Sequence, residues 1–539
     1  MSDTKHHRWV FRALCLFLLL PNILGFILAK DLPEAADKCI YLIGSMLLYA
    51  VGLACFKKRT FLYVASLGLF FSAVEIVHLI INQATTSLLF VFTIIKSEKG
   101  EFFELLSMYW WVVVFFFALW GVYFFLTKRY VENEWIASQK VRESLILTFA
   151  CFAFLGGYTM SGGVKTAPVN MLYNVYRIVK MDRHIRQNLP TVEAFRFGVE
   201  KATNDAESLV VLVIGETSRY DHWQLNGYER ETSPRLMARQ NEIISFDSCY
   251  AIANLTTVSV PLMLSPATPT TLSSYTQQRS VVEAFEEAGY RTSWLADQSF
   301  NNHFLQRISA TCDTAVYIHD DGETLFADYL LVAPFEQQLA YAGRQLVVLH
   351  SLGCHFKYSE RYPEGFGPYQ PDMRQMQKVE GQSLLETAKT LLVNSYDNAI
   401  RYTDFFLDSL IQVIEKSNRP AVLVYLGDHG ENLLDDERNM FLHGTYSGSE
   451  YEYHVPLFVW TSEAYRQAHE DKIAAMQGNK KKVMTTMTLF DSLLDLGDIA
   501  YSQADSTQVI SSAAMQADSL LYGLDANLNP FQLGRMIRP

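Results

Sequence analysis

The sequence predicts an α/β protein in two parts: a five-helix transmembrane domain, then a domain with a mainly parallel sheet flanked by helices. Three observations predict it. Five long apolar windows with few charges fill the first third of the chain. Three apolar, largely β-branched runs in the second half, within LVVLVIGE, LVVLHSLGCH and AVLVYLGDHGE, read as strands buried on both faces. Helical patterns separate these runs, as they do when helices cover both sides of a parallel sheet.

The apolar windows fall at about 9–29, 39–56, 60–82, 107–126 and 144–162, each near the roughly 20 residues a helix needs to cross a bilayer. The first resembles a signal peptide, but the four later windows and the lack of a small-residue cleavage site predict a retained helix. Lys5, Arg8, Arg12, Lys57, Lys58, Arg59, Lys128, Arg129, Lys140 and Arg142 flank one side of the windows, against Lys30, Lys38, Lys96 and Lys99 on the other. The positive-inside rule then places the N-terminus in the cytoplasm, and an odd number of spans carries everything after about residue 165 outside. In a bacterial envelope that is the periplasm. In span three, Glu75 and His78 share one helix face, and ionisable groups within a bilayer suggest function, here at a lipid headgroup.

The expected divisions are 1–164 for the membrane domain, 165–204 for an amphipathic interfacial linker and 205–539 for the α/β domain. The linker mixes Leu172, Tyr173, Val175, Tyr176 and Ile178 with Arg177, Lys180, Arg183 and Arg186, which suits a helix lying at a membrane surface. Beyond it, the strand ending at Glu216 precedes a small-residue segment near 253–264 and a helix capped by Gly289. The strand RTSWLAD, the strand LVVLHSL, a polar loop at 355–380, a long helix over 382–416, the strands AVLVYLGD and HVPLFVW, and a closing helix follow. A formal charge of −12 with no basic stripe in the globular part argues against nucleic acid. Cys249, Cys312 and Cys354 have no spacing that reads as a disulfide framework or zinc knuckle.

All three apolar runs end at residues that bind metals, along the carboxyl edge where open α/β sheets bind ligands. Asp428 and His429 lie within GDHGE, where Gly427 and Gly430 let the backbone turn, and both side chains reach one cation. Glu216 follows an apolar strand, so its carboxylate needs a metal or a basic partner. This pattern implies a metal-dependent enzyme. In NLTTVSVP, Thr256 and Thr257 are competing candidate nucleophiles, because a cation favours an alkoxide and a helix N-terminus stabilises phosphate oxygens. His355 and His443, in polar loops near the same edge, suggest a second cluster for another cation or a leaving group, with Glu431 beside it.

The segments VVLVIGETSR, NGYERETSPRL, TTVSVPLML, LGCHFKYSERYP, SYDNAIRYTDFFL and LGDHGEN…FLHGTY resemble, in order, the signature segments of bacterial phosphoethanolamine transferases. These are inner-membrane enzymes with five spans and a periplasmic domain of the alkaline phosphatase and sulfatase type. The Cys/Ser-x-Pro-x-Arg setting of a sulfate-hydrolysing enzyme is absent. The resemblance implies a catalytic metal site of Glu216, Thr256, Asp428 and His429, holding Zn2+ in preference to Mn2+, with Thr256 as the nucleophile. It places His355, His443 and Glu431 at the donor headgroup, the two histidines also as ligands of any further zinc. It implies transfer of phosphoethanolamine from phosphatidylethanolamine through a phosphothreonine to a lipopolysaccharide, on core or lipid A, or to another envelope glycan. Where members that modify lipid A often carry cysteines beside the nucleophile segment, this chain has Ile252 and Leu262; LGCHFKYSERYPE and FVWTSEAYRQAH are more similar to the branch that decorates the lipopolysaccharide core. The roles of Gln298 and Ser299, in the Asn-rich stretch after the RTSWLAD strand, stay open.

Two rival readings remain at this level. One is a phosphoglycerol transferase of the lipoteichoic acid synthase type, which shares the spans and the threonine. The other is a non-enzymatic membrane sensor with a hydrolase-like domain, which the full set of expected ligands disfavours.

Overall fold

The computed structural model describes residues 2–32, 35–96, 99–159, 165–200, 207–267, 271, 278–298, 303–318, 328–445 and 448–535. The chain divides into two compact units, Met1–Arg183 and His184–Pro539.

The first unit is helical: α1 (Ser2–Leu28), α2 (Ala35–Cys55), α3 (Lys58–Asn82), α4 (Leu88–Lys96), α5 (Lys99–Tyr130), α6 (Gln139–Thr159) and the start of α7 (Val169–Ala194). Among the described residues, His7–Leu28, Ala35–Cys55 and Val113–Tyr130 are long and apolar enough to cross a membrane, and α3, bent by 53° between Lys58–Gly68 and Phe71–Ile80, makes a fourth if counted as one span. The fifth expected window, 144–162, falls mostly in α6, and its last residues lie outside the described ones. Leu14 and Leu18 of α1, Phe61 and Leu62 of α3 and Tyr123 of α5 form one buried cluster.

Glu75 and His78 are buried within this unit, each 1% exposed. Glu75 accepts from the Thr86 hydroxyl at 2.6 Å and amide at 3.2 Å, so the carboxyl has protein donors at hand. Over its first turns α7 turns Asn170, Met171, Asn174 and Ile178 inward and exposes Leu172, Tyr173, Tyr176 and Val179. Apolar and aromatic groups on the outer face are what a membrane-surface helix presents.

The second unit is built on an eight-stranded sheet. In chain order its strands, with a two-stranded ribbon between, are β1 (Leu209–Gly215), β2 (Ile243–Tyr250), β3 (Arg291–Ala296), β4 (Thr314–Tyr317), β5 (Gln345–His350), β6 (Ala421–Gly427), β7 (Asn432–Leu433), β8 (Phe441–Leu442), β9 (His454–Thr461) and β10 (Met484–Thr485). The sheet order is β10-β2-β9-β6-β1-β5-β3-β4, and β7 pairs β8 as the separate ribbon. Every residue of β1 is buried: Val210, Leu212 and Ile214 enter one core, and Leu209, Val211 and Val213 the other. A central strand covered on both sides has no polar face to show, hence its uninterrupted apolar run.

All strands of the eight-stranded sheet run one way except β9, which is antiparallel to both β6 and β2. The chain leaves β6 at the carboxyl edge and returns through 428–453 with no crossover helix, so β9 must start at that edge and run back. The flanking helices include α8 (Pro234–Ala238), α9 (Thr256–Met263), α10 (Val281–Glu287), α11 (His303–Thr311), α12 (Val332–Leu339) and α13 (Leu384–Ser417). Ser383 and Glu386 form a capping box that starts α13, whose buried Tyr396, Ile400 and Phe406 pack against one sheet face. Gly289, at φ +84, ends α10 as expected. Cys249, Cys312 and Cys354 are free thiols.

Candidate metal centre and nucleophile

Sheet register decides which groups meet. Gly215 of β1 pairs with Gly427 of β6, so the next residues, Glu216 and Asp428, emerge side by side, and the Asp428 amide donates to the Gly215 carbonyl at 2.9 Å. One ligand atom from each of Glu216, Asp428 and His429 lies within 4.8 Å of the others, all three residues buried. His429 Nε2 is 3.4 Å from Glu216 Oε1 and 3.5 Å from Asp428 Oδ2. His429 Nδ1 lies 2.9 Å from the Gly430 carbonyl, which takes its proton and leaves Nε2 with the lone pair.

Thr256 joins this cluster and Thr257 does not. Thr256 Oγ1 donates to Glu216 Oε1 at 2.8 Å and lies 3.1 Å from His429 Nε2, whereas Thr257 Oγ1 is buried with no hydrogen-bond partner among the described residues. Thr256 is the first residue of α9, which Ser259 ties to the Asp428 carbonyl at 2.6 Å. Backbone N–H groups that open a helix favour a phosphoryl group beside them.

The donor set fits a divalent cation. Asp428 Oδ1 accepts from the amides of Thr217 (3.0 Å) and His429 (2.7 Å), but Oδ2 is buried with no hydrogen bond among the described residues. An orphaned carboxylate oxygen beside a second carboxylate and an imidazole lone pair is costly without a cation. The electrostatics agree in direction. Burial, then the neighbouring Glu216 charge, pushes the Asp428 carboxyl well up. Burial raises Glu216, but with no cation bound a protonated His429 beside it outweighs burial and holds the carboxyl below its ordinary value. Burial lowers His429, but Asp428 and Glu216 outweigh it and raise the imidazole.

His443 and Glu431 sit against this centre rather than apart from it. The His443 and His429 rings are 4.2 Å apart between centres, and His443 Nδ1 lies 3.2 Å from Glu431 Oε1. His355 and His443 face each other at 6.5 Å. Burial pushes the Glu431 carboxyl up to about 8. β5 ends at His350, and His355 follows a tight turn whose Cys354 amide donates to the Glu216 carbonyl at 3.1 Å.

Several supporting groups were not readable from local sequence. Thr217 holds φ +55, a left-handed conformation uncommon for a β-branched residue, and its hydroxyl donates to Glu216 Oε1 at 3.0 Å. Gln298 Nε2 donates to Glu216 Oε2 at 3.2 Å and to the Ser351 carbonyl at 3.0 Å; Ser299 lies outside the described residues. Gly430 serves close approach rather than a turn, since a Cβ there would lie 2.0 Å from the Tyr451 carbonyl oxygen. GDHGE carries that glycine as a signal, but not what it approaches.

Residues 208–499 match the sulfatase family, and the chain belongs to it. Family membership describes the sheet domain. The chain is 26% identical over 345 residues to the Kdo(2)-lipid A phosphoethanolamine 7''-transferase of Escherichia coli K12, covering 61% of this chain and 58% of that protein. It spans less than two thirds of the length of the curated relatives it matches first. The structure of the integral membrane lipooligosaccharide phosphoethanolamine transferase A from Neisseria meningitidis superposes with TM-score 0.71 at 22% identity, over 94% of this chain and 99% of that one. The zinc complex of the periplasmic domain of EptC from Escherichia coli superposes with TM-score 0.57 at 24% identity, over 63% and 95%. At these identities the two structures show a shared fold.

Proposed function

We propose that this chain is a zinc-dependent phosphoethanolamine transferase of the bacterial inner membrane. It has five spans, a cytoplasmic N-terminus and a periplasmic α/β domain. It takes phosphoethanolamine from phosphatidylethanolamine and passes it to a lipopolysaccharide acceptor, on core or lipid A. The observation that carries the reading is Thr256 Oγ1, 2.8 Å from Glu216 and 3.1 Å from His429 at the first turn of α9. The names of the relatives supply the substrate class.

Glu216, Asp428, His429 and Thr256 would hold the cation. Bound there, zinc favours the Thr256 alkoxide and offsets charge on the phosphoryl oxygens. In the first displacement Thr256 Oγ bonds to phosphorus and the bond to the diacylglycerol oxygen breaks. Its hydroxyl proton is directed at Glu216 Oε1, and diacylglycerol departs protonated. His355 and His443 face the headgroup, and its ammonium favours the ionised form of Glu431. In the second displacement an acceptor oxygen bonds to phosphorus, the bond from phosphorus to Thr256 Oγ breaks, and the acceptor's proton returns to Thr256 Oγ. Two steps let a membrane donor and a glycan acceptor use one site in turn.

The test presents the purified full chain with headgroup-labelled phosphatidylethanolamine or phosphatidylglycerol. Label from phosphatidylethanolamine stays on Thr256 in the parent and is absent in Thr256→Ala. A Thr256→Ala protein that still transfers the headgroup sinks the reading, and label retained only from phosphatidylglycerol replaces it with phosphoglycerol transfer.

A further inference from the structure

Behind the nucleophile, separate chain segments meet at one buried carboxylate. Glu452 lies in the one-turn helix Glu450–Tyr453 that leads into β9, and it is 0% exposed. Its Oε2 accepts from Asn254 Nδ2, and its Oε1 from Asn432 Nδ2 and the Thr445 hydroxyl. Each donor stands beside a functional residue: Asn254 two before Thr256, Asn432 directly after Glu431, Thr445 two after His443.

The same turn holds the metal-binding loop through its backbone. The Gly430 amide donates to the Glu452 carbonyl at 2.7 Å, and the Glu431 amide to the Tyr451 carbonyl at 3.0 Å. The donors are also tied to one another. Asn254 Nδ2 reaches the Thr445 carbonyl at 3.1 Å, Asn432 Nδ2 the Leu442 carbonyl at 2.7 Å, and the Ser449 hydroxyl donates to Asn432 Oδ1 at 2.6 Å.

Burying a carboxylate costs more than one neutral hydrogen bond returns, and no Lys or Arg among the described residues forms a salt bridge with Glu452. Apolar packing would hold a loop at least as well. What an acid adds is two oxygens that take donors from three segments at once, in fixed directions.

We infer that Glu452 is a positioning residue, setting Thr256 against the Glu216–Asp428–His429 cluster and His443 against Glu431 without touching substrate. The inference rests on Thr256 being the nucleophile. Its test uses the zinc-loaded full chain in detergent and three variants: Glu452→Gln, Asn254→Ala and the pair together. Glutamine keeps the volume but replaces one accepting oxygen by an NH2, which then faces the NH2 of Asn254 or of Asn432, donor against donor.

Each single variant is expected to lower kcat for headgroup transfer at least tenfold, with KM for phosphatidylethanolamine within threefold of the parent and zinc retained. The double variant falls no further than the worse single one, because Glu452 acts through Asn254. Amide exchange quickens across 254–263 and not in β1 or β6. A folded Glu452→Gln protein with the parent kcat, multiplicative losses in the double variant, or unchanged exchange across 254–263 overturns the inference. If Glu452→Gln does not fold, Asn254→Ala carries the same kcat, KM and exchange criteria. Thr256→Ala measured alongside separates the failures: an active Thr256→Ala removes the functional reading, while an inactive one beside a parent-like Glu452→Gln removes only the positioning role.

Discussion

Replacing Gly353 by alanine tests whether the metal centre depends on the turn after β5. Gly353 sits at φ +49, and an added Cβ would lie 2.8 Å from the carbonyl oxygen and 3.0 Å from the amide nitrogen of Glu216. The left-handed conformation costs an alanine about 1–2 kcal/mol. The overlap adds about 1–3 kcal/mol of overpacking, for a total of about 2–5 kcal/mol. Reaching ordinary contact requires Glu216 and the turn to separate by about 0.6 Å. Metal–ligand distances tolerate about 0.2 Å, so the strain falls on the ligand, and zinc affinity drops about 10–100-fold. The assay is a competition titration against a chromophoric chelator, with a thermal melt of the same samples. A folded Gly353→Ala protein that binds zinc as the parent does refutes the reasoning.

Asp428→Asn keeps the Oδ1 acceptor for the Thr217 and His429 amides but replaces a ligand oxygen; metal analysis is expected to find zinc lost from an otherwise folded protein. His443→Ala removes the imidazole between His429 and Glu431, and is expected to slow Thr256 labelling at least tenfold while zinc stays bound, read by intact mass and metal content. Asp404 tests linkage away from the centre. Burial pushes its carboxyl up to about 7 from 3.8, against the Leu236 and Arg235 amides that donate to it. Between those values the unfolded chain binds fewer protons, so this group's contribution is full below pH 3.8 and is lost as pH rises toward 7, by about 4 kcal/mol at most. The stability difference between Asp404→Asn and the parent should therefore move in the variant's favour over that window; a difference that stays flat contradicts the assignment.

The strands that build the site were legible for a physical reason. β1, β5 and β6 are buried on both faces, so each appears as an unbroken apolar run, and a carboxylate or histidine directly beyond stands out. β2 and β4 lie outside the expected strands. In β2, Ser245, Asp247 and Ser248 interrupt the apolar pattern, and β4 has only four residues, none fully buried. Thr256 and Thr257 have the same chemistry, so no local rule separates them; α9 turns only Thr256 toward Glu216 and His429.

By itself the sequence determined a parallel sheet with metal-binding groups along its carboxyl edge, because burial period and the cost of an unpaired carboxylate are local properties. Only the tertiary structure decided that Glu216 and Asp428 stand side by side, through the pairing of Gly215 with Gly427. It alone decided that β9 runs backward, that His443 packs against His429, and that Gln298, Thr217 and Glu452 support the site. Those relations join residues as far as 212 positions apart, as between Gly215 and Gly427, and are set by register and packing, which no short stretch of sequence encodes.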